Sequence, residues 1–165
     1  MLLGEILHRG VIKPELAAQE KFAAIDELID LLIEAKDLPL HSRDAARDAI
    51  IARERSMGTG MEMGIALPHG SCDRIENMMG ALGVSPGGIE FECLDGQPAH
   101  LVLLLVLPRH EFQIHVRTLA GISHLLQETS FRNALMAAKD ADTILKLIRG
   151  EEQSSIFDGF RRRFK

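Results

Sequence analysis

Apolar residues change their spacing along this chain, and the changes mark its elements. Between Ala18 and Lys36, Phe22, Ile25, Leu28, Ile29, Leu32 and Ile33 recur three and four positions apart, which is the spacing of one buried helix face. Ser42 stands as an N-cap for a second helix predicted to run to about Arg55, with Ala45, Ala49 and Ile50 as its inner stripe. A loop with Gly58, Gly60 and Gly64 follows, and the apolar residues then become contiguous. Ile65–Leu67, Met79–Val84 and Ile89–Phe91 read as strands, and Leu101–Leu107 as a strand buried on both faces. Asp95-Gly96 marks a turn. Helical spacing returns over Glu111–Gln127, from Ser130 to Ala138 and from Asp140 to Arg149, while residues 1–12 read as an irregular or strand-forming lead. Helices, then short strands, then helices predict an α/β domain with a sheet between helical layers.

Composition narrows the function classes. With 165 residues and 46% hydrophobic content the chain suits one domain with a full core. Aromatics are 4%, with no Trp or Tyr, so that core is aliphatic. A net charge of -5 argues against nucleic acid as a partner. The basic tail Arg161-Arg162-Arg163-Phe164-Lys165 is a local exception, read as a solvated end. Cys72 and Cys93 have no metal-type spacing, and so few cysteines fit a reducing cytoplasm. No signal peptide is expected, and Leu101–Leu107 is far shorter than the ~20 residues that span a bilayer.

The candidate chemistry gathers around Gly64-Ile65-Ala66-Leu67-Pro68-His69-Gly70. Pro68 lacks an N–H, so it is expected to close the strand and leave His69 at its exposed end. An imidazole there is either a structural hydrogen-bonding group or a reactive one, and its neutral form is well populated near neutral pH. Upstream, Arg53-Glu54-Arg55 ends a predicted helix. Arg53 is either a solvated cation at the helix terminus or a clamp for an anion, since guanidinium offers a fixed fork of donors. Thr59 could add a hydroxyl donor, and the neighbouring glycines could expose N–H groups, although no Walker A sequence is present. His115 shares a helical stripe with Leu119, Ile122 and Leu126, as a core imidazole or as one directed at the site. His8, His41, His100, His110 and His124 read as structural or surface residues. A zinc site from His69, His110 and His115 has little support, and no metal ligand is assigned. Met57, Met61, Met63, Met78 and Met79 flank the histidine loop and, where exposed, would suit an adaptable docking surface.

Arg53-Glu54-Arg55, Gly58-Thr59-Gly60 and Gly64–Gly70 together resemble the fructose/mannitol-type enzyme IIA domain of the bacterial phosphoenolpyruvate-dependent sugar phosphotransferase system. The likeness continues through Asp95-Gly96-Gln97-Pro98, the strand Leu101–Leu107 and His115–Ala120. It implies a single domain over residues 1–152, with 153–165 as a C-terminal tail. It also implies a mixed central sheet of about five strands, parallel and antiparallel, flanked by helices. By the resemblance, His69 accepts a phosphoryl group from an HPr-like phosphocarrier, Arg53 stabilises the transferring group, and His115 is the neighbouring second histidine. Thr59 and Gly60 match the loop bordering the phosphoryl site.

No cofactor or metal is implied, because the donor is already an activated phosphoramidate. The phosphoryl group would pass to a IIB protein, or His69 would signal to a regulatory target as in the nitrogen-regulatory branch; the alternative is a degenerate IIA-like binding module that is never phosphorylated. That branch is favoured by the Arg-Glu-Arg wording and by Ile114-His115 followed by Thr118-Leu119. The chain departs from the family at Gly58, Glu62 and Met63. A carboxylate about 4 Å from the phosphoryl group would cost about 4 kcal/mol at an effective dielectric of 20. Glu62 is therefore expected to face solvent or to pair with Arg53 or Arg55.

Overall fold

The computed structural model describes residues 1–163, and its centre is the long hairpin formed by two strands of contiguous aliphatic residues. β4 (Met79–Ile89) and β5 (Ala99–Pro108) pair antiparallel, with Met79 opposite Val106 and Val84 opposite Leu101. Between Val84 and Ile89 the register shifts by a bulge, so the two short strands expected there are one bent strand. β1 (Ile12–Lys13) lies parallel to β4, while β2 (Ile65–Ala66) and β3 (His69–Cys72) lie parallel to β5. The result is a five-stranded mixed sheet in the order β1-β4-β5, with β2 and β3 in line on the far edge. Leu101 to Leu107 are all buried, as a strand covered on both faces requires.

Helices cover both faces. α2 (Lys21–Glu34) buries Ala24, Ile25, Leu28, Ile29 and Leu32, the predicted stripe, and packs beside α3 (Arg43–Ser56). α1 (Leu3–Ile6), α4 (Phe112–Leu125), α5 (Thr129–Ala137) and α6 (Ala141–Arg163) complete the fold.

Several expectations are corrected. The inner stripe of α3 is Ala46, Ile50, Ile51 and Glu54, one register away from the Ala45 and Ala49 expected. Ser42 precedes α3, but a 3-10 turn over Leu40–Ser42 gives it helical dihedrals, and its buried hydroxyl has no partner among the described residues. The lead holds a helical turn, α1, because the Glu152 carboxylate accepts from the Gly4 N–H at 3.1 Å. α6 continues beyond Arg149, the end expected from its spacing, as far as Arg163. Arg161, Arg162 and Arg163 are exposed in its last turn, and Phe164 and Lys165 lie outside the described residues.

Candidate functional site

Pro68 does not end the edge strand. Ile65 pairs with Leu101 and His69 with Leu105 in one continuous register. Pro68 only interrupts the ladder: it has no N–H to give, yet its carbonyl accepts from the Leu105 N–H at 3.0 Å. The strand therefore resumes at His69, which is its first residue rather than its exposed end.

Alternation then decides where each side chain goes. A Cβ on Gly70 would sit 2.7 Å from the Ile50 nitrogen and 2.8 Å from the Ala49 carbonyl carbon. Gly70 thus faces the backbone of α3, and His69 leaves the sheet on the opposite face. His69 Nδ1 lies 2.8 Å from the Leu67 carbonyl oxygen. A carbonyl can only accept, so Nδ1 carries the proton and Nε2 holds the free lone pair. Burial pushes the His69 pKa below the ordinary imidazole value, and the Arg53 charge lowers it further. The Leu67 hydrogen bond and the Glu54 carboxylate act the other way. The half-buried imidazole is neutral at neutral pH.

Arg53 and Glu54 come from the last turn of α3. Arg53 is half-buried, and its Nη1 donates to the Met57 carbonyl at 2.6 Å. Glu54 is 2% exposed. Its carboxylate accepts the Thr59 N–H at 3.1 Å, the Thr59 hydroxyl, and Lys21 Nζ at 3.3 Å. Thr59 was expected to offer its hydroxyl to a phosphoryl group, but here its N–H and its hydroxyl both serve Glu54. Gly60 is buried, and a Cβ there would lie 2.5 Å from the Phe91 carbonyl oxygen, so glycine is demanded by close chain packing.

Residues 59–61 run antiparallel to 65–67. The Leu67 N–H donates to the Thr59 carbonyl at 3.1 Å and the Met61 N–H to Ile65 at 2.8 Å. Met63 and Gly64 turn this hairpin with φ of 63° and 76°. Thr59 is thereby brought back toward His69, while Glu62 is carried to the far end. It is exposed and makes no ion pair among the described residues. The strand between them takes four steps from Ile65 to His69, roughly 13 Å. At that distance in water the charge interaction falls to about 0.3 kcal/mol.

His115 lies on α4, 5% exposed, and its Nε2 has no hydrogen-bond partner among the described residues. Burial lowers its pKa, with Glu111 opposing. No hydrogen bond joins it to His69 among the described residues. Beside it Ile114 and Val116 are exposed. Met57 is also exposed, and so is Met63 in the turn that carries Glu62 away. Met78 is buried, and half-buried Met61 accepts from Ser123. Among the described residues no group of three His, Cys, Asp or Glu could hold a metal ion, and no helix is long and apolar enough to cross a membrane. Sequence reasoning missed Lys21 and the buried role of Glu54. Glu54 follows Ala46 and Ile50 at successive four-residue steps, and that spacing could have found it.

Comparison with known proteins gives this arrangement a context. Residues 5–151 match the family described as phosphoenolpyruvate-dependent sugar phosphotransferase system, EIIA 2. The fructose-specific EIIABC component of the phosphotransferase system of Bacillus subtilis is 35% identical over 148 residues, 90% of this chain and 23% of that protein, so the chain spans under a quarter of that relative. A nitrogen regulatory protein of Bradyrhizobium diazoefficiens is 30% identical over 148 residues, 90% of this chain and 95% of that one. The crystal structure of nitrogen regulatory protein IIA-Ntr from Neisseria meningitidis superposes with a TM-score of 0.79 at 25% identity, covering 88% of this chain and 98% of that one.

Proposed function

The chain belongs to the EIIA 2 family of the phosphoenolpyruvate-dependent sugar phosphotransferase system, and from that premise we propose that it is a cytoplasmic phosphocarrier whose acceptor is His69 Nε2. The observation that carries the reading is the hydrogen bond from Nδ1 to the Leu67 carbonyl, which leaves Nε2 as the nucleophile. That lone pair attacks the phosphorus of an HPr-like protein's phosphohistidine. The new N–P bond forms as the donor's N–P bond breaks, and the electron pair returns to the donor imidazole. The proton stays on Nδ1 throughout, donated in a hydrogen bond to the Leu67 carbonyl. Charge on the equatorial oxygens is met by the Arg53 guanidinium, released from Met57 or turned toward both. His115, with its unused Nε2, is the second imidazole of the site. Residues 1–152 carry this function.

Phosphorylation adds about 1.5 to 2 negative charges, enough to change which protein docks. Likeness of fold to IIA-Ntr favours a regulatory use of phospho-His69. Identity to the fructose component favours donation to a IIB protein as the second reading. The exposed position of Glu62, at the far end of the hairpin, supports transfer at His69.

The test is incubation with phosphoenolpyruvate, enzyme I and HPr followed by mass spectrometry. A gain of one phosphoryl group, lost in His69→Ala, is expected. No gain with several carriers overturns the function, and a gain that survives His69→Ala overturns the site. Transfer onward to a IIB protein separates transport from signalling.

A further inference from the structure

Glu54 sits where stability alone would not put it. A carboxylate in the last turn of a helix faces the negative end of the macrodipole. Desolvating it adds a further cost, which a single Lys partner does not always offset. Yet Glu54 is 2% exposed in the last turn of the 14-residue helix α3.

Its contacts lead toward His69. Lys21 Nζ, at 3.3 Å, holds one carboxylate oxygen. The Thr59 N–H and hydroxyl both donate to the same group. The Thr59 carbonyl in turn accepts the Leu67 N–H at 3.1 Å, and the Leu67 carbonyl accepts the His69 Nδ1 proton at 2.8 Å. A second tie closes the same loop from the other side, where Arg53 donates to the Met57 carbonyl. The loop 57–59 is thus fastened by both side chains at the end of α3.

We infer that Glu54 is a positioning residue: through Thr59 and the Leu67 peptide it fixes the tautomer and direction of the His69 imidazole. The inference rests on His69 being the acceptor. Glu54 itself touches no reacting atom. Its carboxylate accepts three donors at once, and a carboxamide of the same shape accepts fewer and presents an N–H₂ toward Lys21 and Thr59.

Glu54→Gln tests this with two readouts. The first is the tautomer, read from the ring-nitrogen shifts of ¹⁵N-histidine-labelled protein. Wild type is expected with the proton on Nδ1, and Glu54→Gln with a mixture. The second is kinetic. The maximal rate of phosphoryl acceptance from phospho-HPr is expected to fall about tenfold, short of the roughly 100-fold that a 1 Å misplacement can cost. KM for phospho-HPr should stay within about twofold, because uniform binding is untouched. Thr59→Val removes one of the three donors without stranding a charge and serves if Glu54→Gln fails to fold. It is expected to shift the tautomer in the same direction, and Thr59→Ser to restore the wild-type signature. A wild-type tautomer and rate in Glu54→Gln, or in Thr59→Val should the former not fold, overturn the inference. If wild type takes no phosphoryl group but its tautomer still answers to Glu54→Gln, the functional reading falls and the positioning link stands.

Discussion

Gly70→Ala isolates the contact on which the spacing of the site depends. The added methyl would meet the Ile50 nitrogen at 2.7 Å, the Ala49 carbonyl carbon at 2.8 Å and Ile50 Cα at 2.9 Å. All three are backbone atoms of α3, so no side chain can swing away. Ordinary contact begins near 3.4 Å, and reaching it from 2.7 Å moves the helix by about 0.7 Å. Overpacking costs about 1–3 kcal/mol, and a rigid backbone neighbour places this case near 3. Burying one methyl returns about 0.8 kcal/mol, and the stiffer unfolded chain about 0.7. The net is about 1.5 kcal/mol of destabilisation. With a urea dependence of about 2 kcal/mol per molar, the unfolding midpoint falls by about 0.75 M at unchanged slope. The same displacement is carried to Arg53 and Glu54, one turn further along α3, so phosphoryl acceptance slows by about tenfold. Gly121→Ala is the control. It lies in α4 with open space around its Cβ position, and it should gain about 0.5–1 kcal/mol. A Gly70→Ala protein with an unchanged or raised midpoint and a wild-type rate would falsify the argument.

Three further outcomes follow from the geometry. Because burial lowers the His69 pKa, the nucleophilic neutral form persists below pH 6.5, and acceptance against pH should show its acid midpoint below that value. The same shift has a stability sign: the unfolded imidazole takes up its proton first as pH falls through 6.5, so the native state loses stability below it, and a midpoint at or above 6.5 refutes the assignment. His115→Leu removes a buried ring nitrogen that has no partner among the described residues. It should raise stability by about 1 kcal/mol while impairing transfer, and a destabilised, fully active variant would return His115 to the core. Glu62→Gln should leave the rate of acceptance within about twofold of wild type, since its charge is worth about 0.3 kcal/mol at that distance, and a larger rise would bring Glu62 back to the site.

What could be read from the chain was what local pattern encodes. β5 declared itself by seven contiguous aliphatic residues, and α2 by its spacing. His69 and Arg53 stood out by residue type next to glycine and proline. Glu54 did not, because a charged residue reads as solvent-facing until its partners Thr59 and Lys21 are seen around it. Thr59 was read as a free donor for the same reason. α1 escaped because its tie comes from Glu152, far away in sequence. The shift of the α3 stripe to Ala46 came from counting only apolar residues, when the buried carboxylate belongs to the same face. The extension of α6 carries little periodicity because its exposed last turns bury little.

The sheet divides its hydrogen bonds unequally. β4 and β5 pair along nearly their whole length, whereas β3 has four residues and β2 only two, with Pro68 leaving one donor missing between them. Resistance to opening is graded accordingly. Amides of the central hairpin will exchange with solvent only on global unfolding, and those of the edge that bears His69 will exchange through local opening. Occupancy of His69, whether by a phosphoryl group or by a docked protein, will therefore register in hydrogen exchange at this edge while the hairpin behind it stays silent.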